Sequence, residues 1–266
     1  MSGNNMIKVN TDEQARYEEY AELLVRRDQL FKEAESYMTS YTAEFGDLIT
    51  ANFELKIECI KKKKTISYCR RRMNRGLAID VERMHAEIEQ EMQLYHAQLR
   101  EMITDTENAK KAEIIGSYRF NRAKRIYRKL AKLIHPDVNK KTMENEKLKD
   151  LWMRIVVAYQ RSDVDELDDL EVLVLRALDE LGEKGFELNT KDIEERIERV
   201  ERQINDILNT EPYTYGELLR DEEKKAAYRE QLVAEGEDFK QYLESLTRTL
   251  DDMLREGGAK IIWKMD

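Results

Sequence analysis

The sequence predicts an all-α protein, with long antiparallel helical hairpins flanking a smaller helical core. Charged residues make up 38% of the 266-residue chain and hydrophobic ones 41%, a balance that suits helices burying narrow apolar stripes. There are only two prolines, and abundant Glu, Lys, Arg and Leu favour long helices over a twisted sheet. Apolar residues also recur at three- and four-residue intervals along most of the chain.

The elements follow in order. Residues 1–10 read as a flexible leader. From Thr11 to Met73 the pattern is helical: Leu24, Phe31, Met38, Phe45 and Cys59 share a heptad spacing that Asn52 interrupts, and Ala34, Tyr41, Leu48 and Leu55 form a second seam. Gly46 weakens this helix locally without ending it. Asn74, Arg75 and Gly76 signal a turn, after which Leu77, Val81, Met84, Ile88, Tyr95, Leu99 and Met102 restore the helical spacing. A short connection between two such helices favours an antiparallel hairpin over 11–115, with self-association of parallel helices as the alternative.

Gly116 and Ser117 mark a break before a basic helix from Tyr118 to Ile134. Further helices are expected from Glu144 to Gln160, and from Ser162–Asp163 through an acidic run to Leu181, giving a core over 116–182. Thr190 is a candidate cap, with Asp192 in the first turn of a helix striped by Ile197, Val200, Ile204 and Ile207. Glu211 to Gly216 breaks the pattern, and Tyr213, Tyr215 and Leu218–Leu219 are expected to seat the link, with a client or assembly surface as the alternative. A last helix from Asp221 to Leu254, using Ala227, Leu232, Phe239, Tyr242, Leu243, Leu246 and Leu250, completes a second hairpin over 190–257; residues 258–266 are a tail.

The formal charge of −9 argues against bulk nucleic-acid binding, so no specific nucleic acid is expected. Basic residues are nevertheless clustered at Lys61–Lys64, at Arg70–Arg72 with Arg75, and across Arg119–Lys132. No 18-residue apolar span or apolar signal segment occurs, which predicts a soluble, cytoplasmic protein without membrane insertion. Cys59 and Cys69 read as ordinary helix positions. His85 and His96 lie eleven residues apart, too far along a helix to share one metal ion. No phosphate-binding glycine loop, catalytic triad or metalloprotease motif is present; no catalytic residue, metal or cofactor is assigned, and the chain does not read as an enzyme.

The most specific signal is Tyr127-Arg-Lys-Leu-Ala-Lys-Leu-Ile-His135-Pro136-Asp137, a basic helix ending at a His-Pro-Asp corner. Pro136 limits continuation of the helix, and His135 and Asp137 are expected to hold the reversal through polar contacts near the surface. Trp152-x-x-Ile155-x-x-Ala158-Tyr159 follows on the next helix. Tyr127, Leu130, Leu133, Leu151, Trp152, Ile155, Ala158 and Tyr159 are the expected packing residues of the helical pair. Arg122, Arg125, Arg128, Lys129 and Lys132 are expected to leave a cationic surface, uninterrupted by acid from Ser117 to Lys132, which suits an acidic partner.

Over roughly Tyr118 to Tyr159 this pattern resembles the J-domain, the module with which DnaJ-type co-chaperones engage DnaK-type chaperone ATPases. The resemblance implies that His135, Pro136 and Asp137 form the loop needed to stimulate ATP hydrolysis by the partner. The basic residues Arg122, Arg125, Arg128, Lys129 and Lys132 correspond to the docking surface. The helical arms would then recruit a client or complex. The chain departs from the family in lacking the usual Tyr-x-x-Leu-Gly first-helix signature, a glycine-phenylalanine linker and a cysteine-rich zinc module; an acidic run, Asp163 to Glu171, follows Tyr159. It looks closer to divergent bacterial J-domain proteins with flanking coiled coils. The alternatives are a scaffold with a degenerate J-like module, or a surface-binding adaptor dominated by Lys61–Arg75.

Overall fold

The computed structural model describes residues 11–112, 117–182, 192–256 and 261–262. Those residues form an all-α fold of nine helices, supplemented by one two-residue parallel strand pair. The helices are α1 (Thr11–Asn74), α2 (Val81–Lys111), α3 (Ser117–Ile134), α4 (Lys141–Glu144), α5 (Glu146–Gln160), α6 (Val164–Leu181), α7 (Ile193–Asn209), α8 (Tyr215–Arg220) and α9 (Glu222–Glu256). The expected leader 1–10, the Thr190 cap and most of the tail 258–266 lie outside the described residues. Contacts divide the chain into two units, Met1–Tyr37 with Glu113–Gly216, and Met38–Ala112 with Glu217–Asp266. The break at 112/113 falls close to the boundary expected at 115, whereas the break inside α1 at 37/38 was not expected and the last falls at 216/217 instead of 190.

In the first unit, α3, α5 and α6 enclose an apolar cluster. Ala123, Ile126, Tyr127, Leu130, Ala131 and Ile134 supply the α3 side at helical spacing; Leu148, Leu151, Ile155, Ala158 and Tyr159 supply α5. Leu167, Leu170, Val174 and Ala177 complete the cluster from α6. Asn145 caps α5 by accepting the Leu148 amide at 3.1 Å, and Asp163 caps α6 by accepting the Glu166 amide at 3.2 Å. Along α6, Asp165, Asp168 and Glu171 face Arg119, Arg122 and Lys129 of α3 in ascending order, so these two helices run parallel.

A second cluster in this unit joins the beginning of α1 to α7. Tyr17, Tyr20, Ala21, Leu24 and Leu30 meet Ile197, Val200, Ile204 and Ile207, together with Val138 from the corner after α3. The expected α7 stripe is therefore buried, but against α1. The sequence grouped α7 with the last helix as one hairpin over 190–257; here α7 packs in the first unit and α9 in the second. Tyr213 meets Tyr37 edge-on at 5.6 Å, seating the segment after α7 against α1.

The second unit contains the expected antiparallel pairing of α1 with α2. Asp47 bonds Lys110, Lys64 bonds Glu91 and Cys69 lies 3.7 Å from the Met84 sulfur, a descending register. α9 runs parallel to α1, since Tyr41, Asn52 and Cys59 contact Tyr228, Leu232 and Phe239 in turn. Asn52, which interrupts the heptad, is buried and donates to the Leu232 carbonyl at 2.7 Å. Gly236 makes room for it: a Cβ there would stand 2.6 Å from Asn52 Oδ1. Ala227, counted in the α9 stripe by its spacing, is exposed. Cys59 and Cys69 are buried free thiols. Ile79–Asp80 pairs with Ile261–Ile262, a contact that two residues per strand make too short to read from alternation.

Candidate functional site

The His-Pro-Asp corner is a hydrogen-bonded structure. The His135 amide still donates to Ala131 O at 2.9 Å, so α3 closes its last turn before Pro136. The His135 carbonyl then accepts the Val138 and Asn139 amides, each at 2.8 Å. Its imidazole Nδ1 accepts the Asp137 amide at 3.0 Å. Asn139, fully buried, donates to Leu133 O at 3.1 Å and accepts the Lys141 amide at 3.0 Å. Sequence reasoning gave Asn139 no role. Its signal was an amide side chain two residues after Asp137, a type that satisfies backbone groups in turns.

His135 is not near the surface, as expected, but buried with 7% of its area exposed. The ring stands edge-on to Trp152, 4.7 Å between centroids. Trp152 lies 5.9 Å from Tyr127, which stacks on Tyr159 at 4.0 Å. These residues form a continuous aromatic column from the corner along the α3–α5 seam. Burial, opposed by Asp137 and Asp28 and reinforced by Arg27 and Arg196, holds the imidazole pKa below its ordinary value. The geometry agrees, because protonating Nδ1 would remove the acceptor for the Asp137 amide.

The sign of the resulting pH dependence is fixed. As pH falls through the ordinary histidine value near 6.5, the unfolded chain takes up a proton that folded His135 does not. Stability is therefore present above that value and lost below it, by at most about 1.4 kcal/mol per pH unit for one proton. Urea unfolding between pH 7.5 and 5.5, followed by amide exchange in α5, is expected to show a steeper acid loss for the wild type than for His135→Gln. Parallel profiles would contradict this role of the imidazole.

The basic helix is largely neutralised by the chain itself. Glu22 of α1 sits between Arg128 and Lys132, each 2.6 Å away. Partial burial alone would raise the Glu22 pKa, but the hydrogen bonds and charges of those two cations outweigh it and lower the value. On the other side of α3, Arg122 pairs with Asp168 and Lys129 with Glu171. Of the five basic residues expected to leave an open cationic surface, only Arg125 has no such acidic partner among the described residues. The acidic run after Tyr159 supplies partners for α3, which its position in sequence did not reveal.

Three further contacts bring α1 and α7 to the corner. The Tyr127 hydroxyl donates to Asp28 Oδ2 at 2.6 Å, and the Tyr127 pKa is raised chiefly by burial. Lys32 Nζ donates to the Tyr159 carbonyl and, at 2.6 Å, to Ser162 Oγ, at the C-terminal end of α5. It also stands 4.2 Å from the Tyr159 ring centroid, and burial lowers its pKa to about 8. From α7, Arg196 donates to the Asp137 carbonyl at 2.9 Å and lies 3.6 Å from its carboxylate. Neither Lys32 nor Arg196 was singled out from sequence, since neither belongs to a local motif.

The expected packing residues Tyr127, Leu130, Leu151, Ile155, Ala158 and Tyr159 are buried together, with Leu133 and Trp152 partly buried against them. Among the second-unit basic residues, Lys64 pairs with Glu91 and Arg72 donates twice to the Ala78 carbonyl. No group of three or more His, Cys, Asp or Glu suited to a metal ion occurs among the described residues. None of the described helices is long and apolar enough to cross a membrane. Against this geometry the comparisons with known proteins are silent: no family model, no curated protein and no solved structure matches the chain.

Proposed function

We propose that this chain is a J-domain-like co-chaperone that docks to a DnaK-type chaperone ATPase in the cytoplasm and stimulates ATP hydrolysis. Its long helical arms recruit a client or complex, and the chain contributes no catalytic group. The observation carrying the reading is the His135-Pro136-Asp137 corner joining two packed helices, held by bonds from both His135 and Asn139. A fixed corner beside a basic helix supplies a preorganised surface whose binding can shift the conformational equilibrium of a partner ATPase.

A second reading, a scaffold with a degenerate J-like module, is favoured by the internal pairing of Arg122, Arg128, Lys129 and Lys132. Single-turnover ATP hydrolysis by the source organism's DnaK-type chaperone separates the two. The wild type is expected to accelerate hydrolysis, and His135→Gln, with helicity retained, to lose the effect. No acceleration by either protein, at concentrations that allow weak binding, would leave the scaffold reading.

A further inference from the structure

Three of the groups assigned to docking are held by α1 or α7 within the first unit: Glu22 holds Arg128 and Lys132, and Arg196 holds Asp137. Beside them Asp28 takes the Tyr127 hydroxyl and Lys32 closes the end of α5, tying α1 to the packing residues under that face. We propose that the α1 segment through Tyr37, together with α7, is a clasp that keeps the docking face closed, and that an acidic partner engages by replacing Glu22 on Arg128 and Lys132. This inference rests on the co-chaperone reading and adds its regulation.

The composition of the seam supports separation. The α3–α5–α6 cluster is apolar and draws on three helices of its own, with Val25 as the one α1 residue in it. The α1–α7 cluster is likewise apolar, with Val138 as its one residue from the corner. The other contacts named between α1 or α7 and the α3–α5 pair are hydrogen bonds, ion pairs and the approach of Lys32 to the Tyr159 ring. Partly exposed ion pairs such as Glu22 with Arg128 and Lys132 each contribute little, about 0–1 kcal/mol, because water replaces them on opening. Opening also returns the buried Lys32 ammonium to water, relieving its desolvation. The clasp can therefore part by breaking mainly polar contacts, at the cost of one apolar residue from each cluster, Val25 from the α3–α5–α6 cluster and Val138 from the α1–α7 cluster.

The chemistry of the competitor follows from Glu22. A carboxylate bridging two cations one helical turn apart shows what Arg128 and Lys132 accept, and Arg125 lies exposed on the same helix. An acidic segment that supplies carboxylates to all three binds more of α3 than Glu22 does. While the face is mostly closed, partner affinity is reduced by the open fraction, so a clasp open one time in ten weakens binding about tenfold.

In the 266-residue chain, Glu22→Lys places a third cation beside Arg128 and Lys132, and Arg196→Leu removes the hydrogen bond and ion pair from α7 to Asp137; Glu22→Gln serves where the charge reversal costs the fold. Two readouts are taken on each: amide hydrogen exchange, and the concentration giving half-maximal stimulation of the DnaK-type ATPase. The expected result is faster exchange in residues 15–37 and 135–139, unchanged exchange in α5, and a roughly five- to tenfold lower half-maximal concentration. Unchanged exchange in the folded variants overturns the clasp. Faster exchange with stimulation present but no more potent than wild type overturns its control of docking. If no variant and no wild-type protein stimulates, the co-chaperone reading fails, and the exchange data alone decide whether the clasp opens.

Discussion

Leu130→Ala is expected to destabilise the first unit by about 3 kcal/mol, near the middle of the range for large-to-small changes at closed sites. Leu130 is fully buried in the cluster shared by α3, α5 and α6. Its neighbours belong to three separate helices, so the cavity cannot be filled by the shift of one side chain. The loss therefore combines the transfer of the removed methyl groups with the contacts left unmade around the void. Leu133, three residues on but only partly buried, provides the internal comparison; its truncation should cost about 1 kcal/mol. Native-state exchange of the Leu148–Tyr159 amides reads this unit separately from the other. Equal effects at Leu130 and Leu133 would contradict the assigned packing.

Gly46→Ala is expected to destabilise the second unit, reversing the ordinary helix preference. In an exposed helix interior, alanine is favoured over glycine by about 1 kcal/mol. Here a Cβ at Gly46 would lie 2.5 Å from Thr106 Oγ1 and 2.8 Å from its Cγ2. Thr106 cannot swing aside cheaply, because it is branched at Cβ and its hydroxyl donates to Met102 O at 2.8 Å. Overpacking of this kind costs about 1–3 kcal/mol. Thr106→Ala removes both of the closest atoms, so the double variant should recover most of the loss. Thermal unfolding of the two single variants and the double variant checks this. A more stable Gly46→Ala protein would show that α1 and α2 do not approach so closely.

Much of the helix pattern was legible because its signals are local. Asp163 begins α6 and Asp221 accepts the Glu223 and Lys224 amides at the start of α9, where the sequence placed these helices. The stripe on α7 was correct to the residue. Its partner was not, because periodicity defines a face and leaves open what covers it. The α1 heptad illustrates the same limit. Leu24, Phe45 and Cys59 are buried, whereas Phe31 and Met38 are 52% and 48% exposed, on either side of the point where the helix leaves one unit and enters the other.

The candidate site was legible in its motif and obscure in its surroundings. The corner and its packing residues lie within about forty positions, so spacing alone groups them. The groups that occupy the site come from far away: Tyr127 meets Asp28 across 99 residues, Lys32 meets Ser162 across 130, and Arg196 meets Asp137 across 59. No spacing rule reaches over such separations. The burial of His135 depends on these long-range neighbours as well as on Trp152, which is why a residue expected near the surface is inside.

The pairing of α1 with α7 also sets a schedule for biosynthesis. Arg16 meets Glu194 across 178 residues, and Tyr17, Tyr20 and Leu24 are covered by residues from Ile197 onward. At about 5–20 residues per second, a ribosome needs roughly 10 to 35 seconds to pass from one set to the other. During that interval the apolar face of the early helix has no native covering from α7. A nascent chain of this design spends much of its own synthesis as a substrate for whatever binds exposed aromatic and leucine side chains.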